Sequence, residues 1–156
     1  MSDRKHLLIV YHSQSGSTSQ MAEAVTRGAR SPEVTNVEVR TRAALEATAD
    51  DLLWCDAFIL GTPENFGYIS GAMKYFLDRS FYECLDRIVG RPYALFVRAG
   101  NDGTGAITSM RRILKGLSVK EVQSPVLIAG KFDEARLEEC EELGMTLAAG
   151  LEAGVF

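Results

Sequence analysis

The stretch LLIVYHSQSGST, residues 7–18, decides the fold of this chain. It opens with the apolar run Leu7 to Tyr11, which is typical of a strand buried on both faces. A helix-forming segment, about residues 19–29, begins soon afterwards. Between them lies a cluster of small residues: Ser13, Ser15, Gly16, Ser17 and Thr18. Because the first turn of a helix has unpaired N–H groups and a positive dipole end, this arrangement predicts an anion site.

The composition of this loop limits which anion site it can be. Gly16 would let the backbone approach a bound group closely, and Ser17 with Gln20 fits a capping box. No Gly-Lys-Ser, no G-x-G-x-x-G and no cysteine follows the strand, which excludes nucleotide-triphosphate, dinucleotide and cysteine-phosphatase loops. The loop also contains no Lys or Arg, so hydroxyls and N–H groups would have to hold a phosphate. A serine-rich turn without a ligand is the alternative.

Length and charge bound the remaining possibilities. The chain has 156 residues and a net charge of −4, which suits one domain over residues 1–156 and disfavours nucleic acid or anionic membranes as partners. No apolar run reaches the ~20 residues of a membrane span. The charged start MSDRKH does not resemble a signal peptide, so we expect a cytoplasmic protein. Cys55, Cys84 and Cys140 show no metal spacing and predict reduced core thiols.

The rest of the chain alternates between strand and helix patterns. Further strands are expected at residues 34–39, 57–60, 93–97 and 126–129, with helices at residues 43–51, after Ser70, around residues 107–117 and after Asp133. Residues 61–67 and 99–105 are expected to be loops, and Trp54 a core residue. This alternation predicts an α/β fold, a doubly wound five-stranded parallel sheet, and the order 2-1-3-4-5 is among the few topologies that right-handed crossovers leave. In that order the loops after strands one, three and four converge on one crevice.

Three motifs at those loops identify a family. They are Ser13-Gln14-Ser15-Gly16-Ser17-Thr18, then Thr62-Pro63-Glu64-Asn65-Phe66-Gly67 followed by Ser70-Gly71-Ala72-Met73-Lys74, and Ala99-Gly100-Asn101-Asp102-Gly103. With these three motifs in this order along the sequence, the chain resembles the flavodoxin-like proteins. This group includes small NAD(P)H-dependent FMN and quinone reductases. The resemblance covers residues 7 to about 151.

The resemblance implies one FMN per chain and assigns its contacts. The phosphate would be held by Ser13, Ser15, Gly16, Ser17 and Thr18. One side of the isoalloxazine ring would be bordered by Pro63, Glu64, Asn65, Phe66 and Gly67. Its other edge would be bordered by Ala99, Gly100, Asn101, Asp102 and Gly103. Phe66 or Tyr68 could supply an apolar wall, and we hypothesise that Glu64 and Asp102 lower the flavin potential by repulsion.

The resemblance leaves enzyme and carrier both open. The segment 99–105 has no aromatic residue to cover the ring, which favours a reductase whose open ring face accepts nicotinamide or a quinone. We therefore expect an FMN-dependent oxidoreductase with NAD(P)H as a possible donor, and a small-molecule acceptor or a redox protein as partner. A flavodoxin-type electron carrier is the alternative, and a flavin-free regulatory domain a more distant one. The region Phe66 to Tyr68 could contact a second copy in a homo-oligomer.

Several residues near these loops keep two interpretations. Asn101 and Asp102 could simply form a turn. His12 is expected to shield the phosphate edge rather than act as a base. Arg98 could contact flavin, substrate or an acid. No catalytic residue is assigned from the sequence.

Overall fold

The central element of the computed structural model, which describes residues 3–156, is a mainly parallel β-sheet. Met1 and Ser2, at the start of the charged N-terminal segment, lie outside the described residues. The strands are β1 (Lys5–Tyr11), β2 (Val37–Ala43), β3 (Ala57–Asn65), β4 (Tyr68–Ile69), β5 (Pro92–Ala99), β6 (Lys120–Glu121) and β7 (Val126–Ala129). The helices are α1 (Ser17–Ala29), α2 (Ala49–Trp54), α3 (Gly71–Cys84), α4 (Thr104–Gly116) and α5 (Leu137–Ala153), the last preceded by a 3-10 turn at Glu134–Arg136.

The strand order agrees with the predicted 2-1-3-4-5 arrangement. The strands run β2-β1-β3-β5 in parallel, and both β6 and β7 pair with β5 at the outer position. The predicted fifth strand is therefore split in two. Pro125 lies between its halves and has no N–H to donate to a ladder, which is consistent with the interruption. Strand β4 adds a short antiparallel pair with the end of β3.

Two hydrophobic layers cover the two faces of the sheet. Because successive side chains of a strand point to opposite faces, Leu8 and Val10 join one layer and Leu7 and Ile9 join the other. The first layer is completed by α2, α3 and α4, and the second by α1 and α5. This arrangement leaves the carboxyl ends of β1, β3 and β5 side by side at one edge of the sheet.

The second strand and the helix that follows it have other bounds than the sequence predicted. The second strand occupies Val37–Ala43 rather than residues 34–39, and the following helix occupies Ala49–Trp54 rather than residues 43–51. All seven residues of β2 lie at intermediate exposure or beyond, so its apolar alternation was too weak to fix its ends. The helix begins later because Asp51 accepts a hydrogen bond from the backbone N–H of Thr48 at 2.9 Å.

The prediction that Trp54 is a core residue was wrong. Its ring is half-buried at the edge of the first layer, where it stacks on His6 with 4.2 Å between ring centroids. The guanidinium of Arg40 lies 3.8 Å from the Trp54 ring centroid. The ring therefore serves as a platform for a cation and an imidazole near the outer strand.

The three cysteines are buried and free, as predicted. Burial raises the pKa of the Cys55 and Cys140 thiols to about 12 and also raises the pKa of Cys84. Within residues 3–156, no helix combines the length and the apolar character needed to cross a bilayer.

Candidate functional site

Three segments meet at the carboxyl edge of the parallel strands. They are the turn after β1, the hairpin made by the end of β3 with β4, and the turn between β5 and α4. Strand β3 pairs with β1 on one side and with β5 on the other, so the hairpin stands between the two turns. We call these segments the first loop (residues 12–16), the hairpin (residues 63–69) and the third loop (residues 99–103).

The first loop ends in a glycine that begins α1. Gly16 is the residue before the helix and has a left-handed backbone conformation, with φ 101°. A non-glycine residue would be strained there. The N–H of Gly16 donates to the Ser13 hydroxyl at 3.1 Å, and its carbonyl accepts from Gln20 at 3.1 Å. No side chain caps the helix, so the predicted capping box of Ser17 with Gln20 was wrong.

The hydroxyl residues of this loop differ in exposure. Ser15 and Gly16 are exposed, Ser13 and Ser17 are half-buried, and Thr18 is buried. With a glycine at its start and no side-chain acceptor, α1 presents its first N–H groups and its positive dipole end to the loop. The chemistry of this corner favours a small anion held by neutral donors.

The segment predicted as a loop at residues 61–67 is mostly strand. Strand β3 continues to Asn65, and a two-residue turn of Phe66 and Gly67 joins it to β4. Both turn residues have positive φ, 54° and 74°, which is the geometry that lets a two-residue turn match the twist of a hairpin. Phe66 is an unusual residue for it, because a bulky side chain is strained in this region.

The hairpin is tied to both of its neighbours by adjacent side chains. The Asn65 amide Nδ2 donates to Oε1 of Gln14 in the first loop at 2.8 Å. The Glu64 carboxylate oxygen Oε2 accepts from the backbone N–H of Ala106, in the first turn of α4, at 3.1 Å. These two bonds confirm that the predicted loops converge, and they place Gln14 and the start of α4 in the same site.

The third loop leads into α4 through a second left-handed glycine, Gly103. The Asp102 carboxylate accepts from the Thr104 backbone N–H at 3.0 Å and from the Thr104 hydroxyl at 2.9 Å. These two hydrogen bonds, the backbone one first, lower the pKa of Asp102. Asp102 therefore forms the turn itself, one of the two interpretations that the sequence left open, while Gly100 and Asn101 are exposed beside it.

Arg98 is committed to the backbone at the end of the sheet. Its guanidinium donates to the carbonyl of Ala99 and, at 3.2 Å, to that of Ile128, and it lies 5.5 Å from the ring centroid of Phe132. These contacts fasten the ends of β5 and β7 to each other. The sequence left open an ion pair between Arg98 and an acidic residue, and residues 3–156 contain no such pair.

The two aromatic residues of the hairpin point away from the protein interior. Phe66 is fully exposed at the tip and Tyr68 is 42% exposed. Neither is packed into the protein core as a preformed wall. Pro63, by contrast, is buried within the strand.

The sequence named Gln14, Thr62 and His12 near this site but did not predict their contacts. Gln14 bonds the hairpin, and Thr62 is buried and accepts the N–H of Ser70 at 3.0 Å, just before α3. His12 has a buried Nδ1 atom with no hydrogen-bond partner in the described part of the chain. No local pattern predicts these contacts, because Gln14 and Asn65 lie 51 positions apart and Thr62 and Ser70 lie 8 apart.

Comparison with known proteins places this geometry in a family. Residues 7–134 match the family described as NADPH-dependent FMN reductase. A relative from Aquifex aeolicus (strain VF5), named flavodoxin, is 38% identical over 158 residues, which cover 91% of this chain and 84% of the relative. A relative from Acidithiobacillus ferrooxidans (strain ATCC 53993 / BNL-5-31), named NAD(P)H dehydrogenase (quinone), is 36% identical over 123 residues.

That second alignment spans 67% of this chain and 62% of the relative's length. Among solved structures, a flavodoxin from the domain Archaea superposes with a TM-score of 0.79 at 24% identity, covering 94% of this chain and 99% of the other. At that identity the structural likeness establishes the fold, which is flavodoxin-like. The family match extends over most of the chain and includes the first loop, the hairpin and the third loop. The chain therefore belongs to the NADPH-dependent FMN reductase family and is a flavodoxin-like, FMN-binding oxidoreductase.

Proposed function

We propose that this chain takes electrons from NAD(P)H onto its FMN and delivers them to a quinone-type or other small-molecule acceptor. The single observation that carries the proposal is the meeting of three segments around the uncapped start of α1, with the hairpin bonded to both neighbours. A phosphorylated, flat coenzyme needs an anion site at one end and backbone groups along its ring at the other, and the meeting of these segments supports placing both here.

The phosphate end of the proposed site consists of Ser13, Ser15, Gly16, Ser17 and Thr18. The first N–H groups of α1 point toward a ligand there, and no side chain competes for them. This open helix start fits a phosphate group better than it fits a plain turn, in which side chains would satisfy the N–H groups.

The ring end of the proposed site lies between two walls. Pro63, Glu64, Asn65, Phe66 and Gly67 form one wall, and Ala99, Gly100, Asn101, Asp102 and Gly103 form the other. In this proposal their backbone groups orient the coenzyme ring. The exposed Phe66 and Tyr68 can exclude water from one side of the ring when the site is filled.

FMN supplies the redox chemistry when it is bound, because its ring accepts hydride and passes electrons on. The contribution of this chain is to position the donor. The third loop carries no aromatic side chain, so a nicotinamide can approach the ring at the ~3–3.5 Å that hydride transfer needs. The same opening admits a flat acceptor after the nicotinamide leaves.

One observation favours an electron carrier as a second candidate. The relative that aligns with 91% of this chain is named flavodoxin, whereas the quinone dehydrogenase alignment spans 67% of the chain. A carrier would exchange electrons with a redox protein and would need no nicotinamide site. The proposal also includes an interface between two copies of the chain at Phe66–Tyr68. It further includes a reducing, cytoplasmic setting, which is supported by three free buried thiols.

Steady-state turnover separates the two functions. The protein loaded with FMN is mixed with NADPH or NADH and a soluble quinone, and oxidation of the nucleotide is followed by its absorbance. The proposal expects repeated turnovers that require the quinone. Absence of turnover, together with electron exchange with a redox protein partner, would contradict the enzyme and favour the carrier. Free FMN without protein is the control.

A further inference from the structure

The end of β3 carries two adjacent side chains that bond in opposite directions. Successive side chains of an extended strand alternate, so Glu64 and Asn65 reach different neighbours. Glu64 bonds the first turn of α4 and Asn65 bonds Gln14 of the first loop. We propose that Glu64 and Gln14 are positioning residues, which together with Asn65 hold the hairpin at a fixed place between the other two loops before FMN binds. This inference rests on the proposed location of the flavin.

The Glu64 bond reaches the first turn of α4, where Asp102 of the preceding loop accepts the N–H of Thr104 and Glu64 accepts that of Ala106. Gly103, the residue before α4, has no side chain that can cap the helix. A carboxylate near the first N–H groups of a helix gains from both the hydrogen bond and the dipole. Glu64 therefore acts as a cap supplied from another strand, which joins the hairpin to the third loop's helix.

Backbone contact limits the hairpin from the same side. A Cβ atom at Gly105 would lie 1.9 Å from the carbonyl oxygen of Gly67, so only glycine permits this approach. The backbone contact prevents the hairpin from moving closer to α4, and the Glu64 bond prevents it from moving away. On the other side, the bond from Asn65 to Gln14 sets the distance to the first loop.

We call the two hydrogen bonds, Glu64 to Ala106 and Asn65 to Gln14, together with the backbone contact of Gly67 with Gly105, the clamp. The clamp acts on the affinity for FMN through preorganisation. A hairpin that is free to move is binding-competent for only part of the time, and the apparent affinity falls by that fraction. The strained left-handed Phe66 at its tip favours other turn conformations when the tethers are absent. The clamp therefore stabilises the hairpin in the geometry that two opposed walls require.

The test compares hydrogen bonding with charge at residue 64. Glu64→Gln keeps an oxygen that can accept from Ala106, whereas Glu64→Ala removes it. FMN dissociation constants are measured by flavin fluorescence quenching, and visible circular dichroism reports the environment of the bound ring. We expect about tenfold weaker binding for Glu64→Ala, a change within about twofold for Glu64→Gln, and an altered dichroism spectrum only for the alanine variant.

The second arm tests the other tether. Gln14→Met keeps the length of the side chain and removes its acceptor, and we expect about fivefold weaker FMN binding. Gln20→Met, at an exposed position on α1, is the matched control and should bind as the wild type does. Glu142→Ala on α5 is the control for Glu64→Ala. Thermal unfolding without FMN verifies that each variant folds. If Glu64→Ala does not fold, the comparison of Gln14→Met with Gln20→Met decides.

Two outcomes would overturn the inference. Equal weakening by Glu64→Gln and Glu64→Ala would show that charge, rather than the hydrogen bond, matters. Wild-type affinity in both Glu64→Ala and Gln14→Met would show that the tethers do not position the hairpin. Neither readout uses turnover, so a protein that binds FMN but does not oxidise NAD(P)H would contradict the proposed function and still test the clamp.

Discussion

Gly144 of α5 lies against the backbone carbonyl oxygen of Val25 in α1. A Cβ atom at Gly144 would be 1.9 Å from that oxygen, and one at Gly28 would be equally close to the carbonyl of Glu141. The two helices thus cross with their backbones in contact. Because α1 begins at the first loop, this crossing determines where the helix start is held.

The crossing predicts a large cost for Gly144→Ala. The added methyl meets backbone that cannot rotate away, so we expect a loss of about 2 kcal/mol in unfolding free energy and a melting temperature lower by roughly 4–8 °C. Thermal denaturation measures both. Gly150→Ala on the same helix is the control, since its methyl meets only the terminal Phe156 ring, and it should be neutral or stabilising. Equal losses of stability in Gly144→Ala and Gly150→Ala would contradict the backbone contact between α1 and α5.

The left-handed Gly16 predicts a separate effect on stability and cofactor. Nothing lies within 4 Å of the position its Cβ would take, so Gly16→Ala should cost only backbone strain, about 1 kcal/mol. We also expect weaker FMN binding, measured by fluorescence quenching, because the methyl would occupy the proposed phosphate corner. Gly71→Ala is the control, because a Cβ there also meets nothing within 4 Å and the φ is ordinary; it should change neither the stability nor the FMN affinity. Lost stability with unchanged affinity would place the phosphate elsewhere.

The strained turn at Phe66 predicts that a better turn residue stabilises the protein. Phe66→Asn should raise the unfolding free energy without FMN by about 0.5–1 kcal/mol, because asparagine tolerates positive φ. The same change should reduce the protection of the bound ring from water, measured as faster quenching of its fluorescence by iodide. Ser118→Asn, at a position with φ 58° outside the site, should reproduce the stabilisation alone. Unchanged quenching in Phe66→Asn would exclude Phe66 as a cover.

The Asp102 turn predicts a defined pH dependence. Hydrogen bonds from Thr104 lower the pKa of this carboxyl group, so their stabilisation is present above the ordinary aspartate pKa and is lost as the pH falls through the lowered value. Thr104→Val removes the hydroxyl donor and keeps the backbone one. The pKa of Asp102, measured by carboxyl NMR titration, should therefore rise but remain below its usual range. Thr108→Val on the same helix should leave it unchanged, and no rise in Thr104→Val would contradict the assignment.

The acidic residues of the proposed ring walls predict a shift in flavin potential. Glu64→Gln should raise the two-electron potential by an amount on the order of tens of millivolts, because a negative charge opposes reduction. Asp102→Asn should raise it less, since Asp102 is exposed and screened by solvent. Equilibration with reference dyes measures both. An unchanged or lowered value in Glu64→Gln would reject the hypothesis of like-charge repulsion.

The parts of the fold that the sequence predicted are those with an unambiguous signal. Residues 7–11 of β1 and 57–60 of β3 are continuous apolar runs, and Ser70 caps α3 through its hydroxyl, which accepts from the N–H of Met73 at 3.2 Å. The alternation of elements indicated a parallel sheet and left few strand orders, of which 2-1-3-4-5 is the one observed. The extension of β3 was missed because Gly61 and Pro63 normally end a strand, and Phe66-Gly67 lacks the Asn-Gly signature of a tight hairpin.

The candidate site was predictable as a location but not as a set of contacts. Topology alone brings the first loop, the hairpin and the third loop to one edge. The bond between Gln14 and Asn65 joins residues 51 positions apart, and that between Glu64 and Ala106 joins residues 42 apart. No local propensity encodes such pairs. The capping box of Ser17 with Gln20 was predicted wrongly for a related reason. Gly16 and Ser17 are adjacent, and both residue types are common just before a helix, so the local sequence did not show which of them precedes α1.

The buried thiols have a consequence for an FMN-binding oxidoreductase whenever oxygen is present. Reduced flavins react with oxygen, and the resulting oxidants attack cysteine in its thiolate form. With the pKa of Cys55 and Cys140 at about 12, the thiolate is almost absent at neutral pH, and burial withholds the sulfur from solvent as well. The same core that supports the sheet thereby makes the molecule resistant to the by-products of its own chemistry.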